Sequence, residues 1–394
     1  MFIGITGPRF AGKHTVAKWL VSGHGFTLLS LRKDNYCEHY HIHHSQHQEL
    51  NQGLDALEFE SPEELLQYVT KKYSENFVTC DIHSSYILEI YRKRPFFLLF
   101  AVDGPVTIRY LRCIARCREE NHPEPTLEEF IIENDSQLFK AVAPSNEFAE
   151  SFISNQSDSD QEEEGEGEEE GGGGGGGERI QKNSSKPEKR HQIRKFEQIP
   201  VYNIMTMADL TIVNSYLTFQ PFFVYLHKLE ITNPERLRPS WDTYFMHLSD
   251  LAALRSNCMK RRVGCILVKD FRVIATGYNG TARGLKNCNQ GGCDRCNDAV
   301  PSGTGLDKCL CLHAEENALL EAGKERVGKG CILYCNTCPC LGCSVKLIQV
   351  GVEEVVYKNS YNMDEITARL LKEAGVKLRQ HAPPNRRLQL QKNE

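Results

Sequence analysis

In the first part of the chain, runs of consecutive apolar residues alternate with segments whose apolar residues have the spacing of a helix. Residues 1–6 and 96–102 are nearly continuous apolar runs, and residues 14–20 have the spacing of a helix. Strands of a parallel sheet have this continuous character, because helices cover both faces of such a sheet. Residues 208–215 repeat the apolar pattern, and residues 219–231 are predicted to be a helix with Pro221 in its first turn. The pattern therefore predicts a parallel α/β domain.

A polar and glycine-rich segment, residues 151–197, interrupts this pattern. It contains nine acidic residues between positions 158 and 170, then seven consecutive glycines and a basic stretch. Such a composition cannot bury enough apolar surface to offset the entropy of ordering. We expect a disordered insert that serves as a solvated spacer, with a regulated docking site as the alternative.

A second domain is predicted to follow Pro234 and Pro239, which mark a break in the pattern. Residues 248–259 have helical spacing, and a hairpin is predicted from two strands at 263–268 and 272–276. Helices are predicted to begin near His313 and at Pro339. Later strands are predicted at residues 331–335, 352–357 and 376–378, with a helix at 364–374. We expect domains at residues 1–237 and 238–381, and a polar tail at 382–394.

Composition and charge narrow the class of protein. The formal net charge is −5, but without the nine acidic residues of the insert the remainder carries about +4. No basic stripe with interleaved aromatic residues appears, which argues against a nucleic-acid partner. The longest apolar run, residues 96–102, is too short to span a bilayer, and no secretion signal is recognisable. We expect a protein of the cytoplasm, with the nucleus as a second compartment, and no membrane partner.

Twelve of the 16 cysteines lie between positions 258 and 343. In a reducing compartment, clustered cysteines are typical of metal ligands rather than of disulfides. Two motifs in this region carry most of the chemical information. They are H-A-E at residues 313–315 and P-C-L-G-C at residues 339–343.

The two motifs together supply three zinc ligands and one further carboxylate. A catalytic zinc takes three protein ligands, here His313, Cys340 and Cys343, and leaves the fourth position to water. Both motifs are predicted at helix N-termini, where free N–H groups favour thiolate and hydroxide. Glu315 does not share a helix face with His313, so it is predicted to move protons from zinc-activated water to the substrate. The alternative is a structural zinc site in which Glu315 is an ordinary first-turn acid.

This pair of motifs is the known signature of zinc nucleobase deaminases. The surrounding residues resemble the deoxycytidylate (dCMP) deaminases, in particular the cysteine-rich fungal type, over segments 254–264, 276–281, 311–318 and 360–365. The resemblance implies a cytidine-deaminase-like mixed sheet with flanking helices. It also implies hydrolytic deamination of dCMP to dUMP and ammonia, which supplies dUMP for thymidylate synthesis. By the same resemblance the enzyme is a hexamer that dCTP activates and dTTP inhibits, with Mg²⁺ accompanying the nucleotide effector.

The resemblance further implies several substrate contacts. Asn279 would bond the deoxyribose, the Ala314 backbone would help hold the base, and Tyr361 would pack near it. Ala282 stands where family members commonly have proline, in the loop that carries Asn279. Basic side chains suit a 5′-phosphate, with a solvated helix end as the alternative for each of them. The candidates are Arg255, Lys260, Arg261 and Arg262.

Further cysteines in the same domain are candidate ligands of a second, structural zinc. Residues 293–296 form another C-x-x-C inside a glycine-rich loop, and we expect some four of the candidates to bind one ion. The alternative is a set of buried or free thiols. The candidates are Cys258, Cys288, Cys293, Cys296, Cys309 and Cys311.

Residues 7–15 almost fit the phosphate loop G-x-x-x-x-G-K-[ST]. Gly7, Gly12 and Lys13 are in place, but His14 stands where Ser or Thr belongs, and Thr15 comes one position late. That shift rotates the hydroxyl by about 100° around a helix. We expect a degenerate P-loop domain of nucleotide-kinase outline, structural or nucleotide-sensing, rather than an active kinase.

Two competing functions remain open at this point. A tRNA adenosine deaminase shares H-A-E and P-C-x-x-C. The G-Y-N-G segment at 277–280, the S-Y-N-M-D-E segment at 360–365 and the absence of a basic RNA surface argue against it. The other alternative is a P-loop nucleotide kinase with a structural zinc module.

Overall fold

The computed structural model describes residues 1–32, 55–82, 84–140, 200–298, 300–301, 303–360 and 365–384. The predicted insert at 151–197 lies outside the described residues. The chain divides into two compact units between Ile231 and Thr232. Within the described ranges, no helix is both long and apolar enough to cross a membrane.

The N-terminal unit is built on a six-stranded parallel sheet, as the continuous apolar runs predicted. Its strands are β1 (Phe2–Thr6), β2 (Phe26–Leu31), β3 (Leu57–Phe59), β4 (Asn76–Thr79), β5 (Phe97–Asp103) and β6 (Leu210–Val213). Their order across the sheet is β3-β2-β4-β1-β5-β6. Every residue of the inner strand β1 is buried, since helices cover both faces of the sheet.

The helices of this unit connect the parallel strands. They are α1 (Lys13–His24), α2 (Pro62–Lys71), α3 (Ser85–Arg92), α4 (Val106–Glu119), α5 (Leu127–Phe139), α6 (Val201–Thr206) and α7 (Phe219–Lys228). The turn between β1 and α1 contains the predicted phosphate loop. Parallel strands need such crossover helices, because a tight turn cannot return the chain to the same end of the sheet.

The C-terminal unit is built on a five-stranded mixed sheet, which confirms the predicted fold class. The strands of this sheet are β7 (Gly264–Lys269), β8 (Arg272–Tyr278), β11 (Cys331–Thr337), β12 (Glu354–Asn359) and β13 (Lys377–Gln380). Two short strands, β9 (Gly280–Thr281) and β10 (Cys311–Leu312), form a separate two-stranded ladder. The order of the main sheet is β13-β12-β11-β7-β8. The three strands β11, β12 and β13 are parallel, and β7 is antiparallel to both of its neighbours.

Helices cover both faces of this mixed sheet. They are α8 (Trp241–Ala253), α9 (Asp294–Asn297), α10 (Ala314–Ala322), α11 (Leu341–Val350) and α12 (Glu365–Glu373). Side chains alternate along β7: Ile266 packs in the cluster that contains Phe245 of α8, and Cys265 packs in the cluster with Ala318 of α10 and Leu347 of α11. The first turns of α10 and α11 are thereby held over one face of the sheet.

Several predicted helix boundaries are wrong. The helix predicted at 248–259 is α8, which begins earlier, at Trp241, and ends at Ala253, after which the chain runs as a loop into β7. In that loop Ser256 hydrogen-bonds Asn279 instead of continuing the helix. The helix predicted to begin at Pro339 begins at Leu341, because Cys340 is its N-cap and has an extended backbone.

Candidate metal centre

Two helix starts bring the three predicted zinc ligands together. His313 is the N-cap of α10 and Cys340 is the N-cap of α11, while Cys343 lies in the first turn of α11. Both caps have extended backbone torsions, so their side chains lie at the helix starts, where backbone N–H groups lack helical partners. The short strand β10 leads into α10, and β11 leads through Cys338 and Pro339 into α11.

The ligand atoms have the spacing that a tetrahedral zinc requires. His313 Nδ1 lies 3.4 Å from Cys340 Sγ and 3.3 Å from Cys343 Sγ. With zinc bonds of about 2.3 Å to sulfur and about 2.0 Å to nitrogen, nitrogen and sulfur ligands are about 3.5 Å apart. His313 and Cys340 are exposed and Cys343 is buried. The residues therefore fit a zinc site that stays open to water on one side.

The three side chains share protons that a divalent metal would replace. The hydrogen bond from Cys343, together with the charge of His313, lowers the pKa of the Cys340 thiol to about 4. The hydrogen bond with Cys340 raises the pKa of His313 to about 9, and the same thiolate raises the pKa of Cys343. Zinc needs deprotonated ligands, so binding the ion would displace these protons.

Glu315 lies beside this set without belonging to it. Its side chain is buried, with 4% exposed, and it interacts with Cys343. Burial disfavours the charged carboxylate and raises its pKa, which favours its protonated form more than in an exposed glutamate. The sequence predicted a carboxylate outside the ligand set, and the structure places it within reach of the centre.

Supporting residues that the sequence reasoning missed fix the start of α10. A Cβ on Gly277 of β8 would lie 2.0 Å from Ala314 O, so only glycine lets α10 pack this closely. The amide of Asn317 donates to Tyr278 O at 2.6 Å. Glu316 accepts from the His313 N–H at 2.7 Å and pairs with Lys346, which joins α10 to α11. The sequence offered one sign of this close packing, because Gly277 interrupts an apolar strand pattern.

Asn279 anchors the loop that connects α8 to β7. Its Oδ1 accepts from the Val263 N–H at 2.8 Å and from the Ser256 hydroxyl at 2.7 Å. Its Nδ2 donates to Arg261 O at 2.8 Å. With 8% of the residue exposed, Asn279 thus holds the loop that carries the candidate phosphate contacts.

The other predicted substrate residues have varied surroundings. Ala314 is fully buried at the start of α10. The Arg255 guanidinium is exposed and lies 6.0 Å from the centre of the Tyr278 ring, while the Lys260 amine donates to Val300 O. Arg261 and Arg262 are exposed on the same loop. Tyr361 lies outside the described residues.

The six candidate ligands of a structural zinc also come together. They form two groups of four, Cys258, Cys288, Cys296 and Cys311 on one side and Cys293, Cys296, Cys309 and Cys311 on the other. Within each group the sulfur atoms lie within 4.8 Å of one another.

The predicted phosphate loop in the N-terminal unit is bound by its own chain. The Lys13 amine donates to Gly7 O and Pro8 O, both at 2.8 Å. Burial is the main cause that lowers its pKa to about 8. Thr15 lies in the first turn of α1, one position after His14. The lysine that contacts phosphates in a working loop is here directed at the loop's own carbonyls.

Two further side chains fill the same turn. Asn214 Nδ2 donates to Ala11 O at 2.9 Å and lies 2.5 Å from the position of a Cβ on Gly12. Arg112 donates to Phe10 O at 2.9 Å. Gly7 and Gly12 retain the positive φ angles that such a turn needs, 142° and 104°. The turn therefore has the shape of a phosphate loop, and several of its carbonyl oxygens accept hydrogen bonds from side chains of the protein.

Comparison with known proteins places these sites in a family. Residues 239–359 match the cytidine and deoxycytidylate deaminase zinc-binding region. A deoxycytidylate deaminase of Schizosaccharomyces pombe is 42% identical over 386 residues, covering 97% of this chain and 98% of that protein. One of Saccharomyces cerevisiae is 38% identical over 380 residues, covering 96% of each.

A solved structure of a dCMP deaminase from the cyanophage S-TIM5, in complex with dCMP and dUMP, is 31% identical. It covers 36% of this chain and 98% of the phage chain, with a TM-score of 0.30. The two fungal relatives match almost from end to end, so the similarity includes the N-terminal unit as well as the metal centre. The chain belongs to the deoxycytidylate deaminase family and is a zinc-dependent deaminase.

Proposed function

We propose that the protein hydrolyses dCMP to dUMP and ammonia, and thereby supplies dUMP for thymidylate synthesis. The observation that carries the proposal is the position of buried Glu315 beside three ligand atoms spaced for zinc. A zinc ion held by His313, Cys340 and Cys343 would supply a water of lowered pKa. A purely structural zinc site has no use for a buried carboxylate at its edge.

Glu315 is the proposed proton shuttle. Burial raises its pKa, which makes the carboxylate a better acceptor for a proton from the attacking water. One proton of the water passes through Glu315 to the ring nitrogen of cytosine and stays there in dUMP, and the second passes to the departing amine, which leaves as ammonia. A hydrogen bond links Cys343 to Glu315, which keeps the shuttle next to the ligand set.

The substrate-contact predictions are kept as part of the proposal. The Ala314 backbone, at the start of α10, would help hold the base, and Tyr361 would pack near it. Nδ2 of Asn279 carries two hydrogens, one of which it donates to Arg261, so the second can meet a deoxyribose hydroxyl. Arg255 and Lys260, on the loop that Asn279 anchors, would contact the 5′-phosphate.

Regulation and assembly are proposed from the family resemblance. We expect dCTP with Mg²⁺ to activate the enzyme, dTTP to inhibit it, and the protein to form a hexamer. We also expect structural zinc in the cysteine-rich loop, since the candidate sulfur atoms lie together there. Turnover measured with each effector, and mass by light scattering, test these expectations.

For the N-terminal domain, residues 1–237, we propose a degenerate P-loop domain that does not transfer phosphate. The contacts of Lys13 and Asn214 with the loop's own carbonyls support this role. Calorimetric titration of the full chain with ATP, dCTP and dTTP tests for nucleotide sensing. Heat from one nucleotide supports sensing, whereas no heat supports a purely structural domain.

One assay separates the proposed function from its competitors. The protein is incubated with dCMP, dCTP or a tRNA, and ammonia release is followed for the natural protein, Glu315→Ala and Glu321→Ala. Glu321 lies exposed on the same helix α10, so its variant controls for loss of an acidic residue. We expect ammonia from dCMP, its loss in Glu315→Ala only, and none from tRNA. Ammonia from tRNA alone would favour an adenosine deaminase. Phosphate transfer from ATP without any deamination would favour a kinase.

A further inference from the structure

Five cysteines between β9 and α10 and one from the loop between α8 and β7 form a six-cysteine cluster, which we define as Cys258, Cys288, Cys293, Cys296, Cys309 and Cys311. Four of the six side chains are buried, and Cys258 and Cys309 pack partly buried against them. No other apolar side chain belongs to this cluster among the described residues, and the helical elements nearby are 3-10 turns and the four-residue helix α9. Something other than a hydrophobic core must hold this part of the fold together.

The sulfur separations exclude disulfides and match shared metal ligands. Cys296 Sγ lies 3.9 Å from Cys258 Sγ, 3.9 Å from Cys309 Sγ and 4.0 Å from Cys311 Sγ. A disulfide needs about 2.05 Å. Sulfurs around one tetrahedral zinc are about 3.8 Å apart, given a bond of about 2.3 Å.

The arrangement of the two groups of four points to two ions rather than one. Both groups contain Cys296 and Cys311, and each adds two cysteines that the other lacks. Two tetrahedra that share an edge have this composition: two bridging ligands and four terminal ones. A single ion would use either group and leave two cysteines of the cluster without a metal.

Hydrogen bonds to the terminal sulfurs also suit thiolates. Backbone N–H groups of Met259 and Leu310 donate to Cys288 and Cys293, each at 3.4 Å. The Arg295 guanidinium donates to Cys309 at 3.7 Å and brings a positive charge to the cluster. Donors of this kind offset the negative charge that a thiolate-rich zinc cluster retains.

We propose that the six-cysteine cluster binds two zinc ions, bridged by the thiolates of Cys296 and Cys311. Cys258 and Cys288 complete one tetrahedron, and Cys293 and Cys309 complete the other. Each ion replaces thiol protons, which pass to solvent. The inference rests on the proposed structural zinc of this loop and specifies how many ions it holds and which residues they share.

The cluster would fix two segments that lead into the catalytic centre. Cys311 begins β10, two residues before His313, and β10 pairs with β9 next to Asn279. Cys258 lies in the loop that Asn279 anchors through Ser256. Loss of the cluster metal should therefore loosen both the catalytic ligand His313 and the substrate loop.

Metal analysis of the full-length protein, equilibrated with zinc and desalted, is the first test. We expect three zinc ions per chain, one at the catalytic centre and two in the cluster. Two ions per chain would mean a single-ion cluster, and one would mean free thiols; either result overturns the proposal. His313→Ala should lower the count by one in all cases. A preparation with three ions and no deaminase activity would refute the proposed function and leave the cluster standing.

The shared ligands are tested by NMR of the cadmium-substituted protein. Two cadmium nuclei joined by bridging thiolates should show scalar coupling to each other, and the catalytic cadmium should show none. Two uncoupled cluster signals would overturn the bridged arrangement. This measurement uses the natural sequence, so it does not depend on the folding of a variant.

Substitution of a terminal ligand gives a third readout. Cys309→Ser should lower the zinc count and the turnover of dCMP together. The matched control is Cys331→Ser, a buried cysteine of β11 that belongs to none of the three ligand groups. It should keep all three ions. Cys309→Ser with an unchanged zinc count would contradict the proposal.

Discussion

Two regions of this chain place a motif at the start of a helix, and they differ in what their side chains bond. At the metal centre, His313, Cys340 and Cys343 contact one another, and two of them are exposed. At the phosphate loop, Lys13 and Asn214 donate to carbonyls of the loop itself. The motifs of the metal centre match in full, whereas the phosphate loop has His14 where Ser or Thr belongs. The difference teaches that a motif sets which groups stand at a helix start, and that tertiary contacts set whether those groups face one another or the carbonyls of their own loop.

Removing one zinc ligand should have the largest effect and tests the metal-centre side of the comparison most directly. Cys343→Ser should lose the catalytic zinc and reduce ammonia release from dCMP to background, because serine is a poor zinc ligand. Zinc content and turnover are measured on the same sample. The control is Cys331→Ser, which should retain both. Undiminished turnover without the catalytic ion would refute zinc dependence.

Glu315→Gln separates the contribution of the proton shuttle to turnover from that of the zinc ion. The amide cannot carry a proton, so kcat should fall by roughly 10²–10⁴-fold while zinc content stays the same. Glu321→Gln on the exposed face of α10 is the matched control and should be neutral. A kcat reduced by less than about tenfold would make Glu315 a structural residue.

Gly277→Ala tests how closely α10 must approach the sheet. The added Cβ would meet Ala314 O, so we expect a loss of about 1–3 kcal/mol in unfolding free energy and reduced turnover. Gly23→Ala is the control, because its Cβ position in helix α1 has no atom within 4 Å beyond the adjacent residues and the helix's own backbone. Denaturant unfolding and a dCMP assay measure both effects. An unchanged protein would show that the start of α10 can shift freely.

Lys13→Met tests the phosphate loop, and we expect the smallest change in stability from it near pH 7. Loss of the bonds to Gly7 O and Pro8 O is opposed near pH 7 by relief of the desolvated ammonium, so we expect a net change of at most about 1 kcal/mol in unfolding free energy there. Burial lowers the pKa of Lys13 from 10.5 to about 8. Between these values the unfolded chain binds more protons than the folded one, so the natural protein should gain stability relative to Lys13→Met as pH rises.

Urea unfolding of both proteins from pH 7 to pH 11 measures this difference. If the stability difference does not change with pH, the Lys13 amine is solvated in solution. The phosphate loop would then be open to a ligand, and the contrast with the metal centre would disappear.

Much of the fold followed from local pattern. The strands β1, β5 and β7 were predicted closely, because buried strands need apolar residues wherever both faces are covered. The edge strand β8 was found through the short turn that joins it to β7. The end of the helix predicted at 248–259 was placed too late, because the helical spacing of apolar residues continues past Ala253. The Ser256 and Asn279 bonds that end the helix join residues far apart in sequence.

The sequence by itself determined which residues are able to bind zinc and which carboxylate accompanies them. Motif spacing sets this, because the backbone of a helix start fixes where neighbouring side chains lie. Only the tertiary structure decided that Cys296 and Cys311 are common to two groups of four, that Gly277 admits α10, and that Lys13 is bonded to its own loop. These are contacts between segments distant in the chain, and they depend on how sheets and helices pack rather than on local spacing.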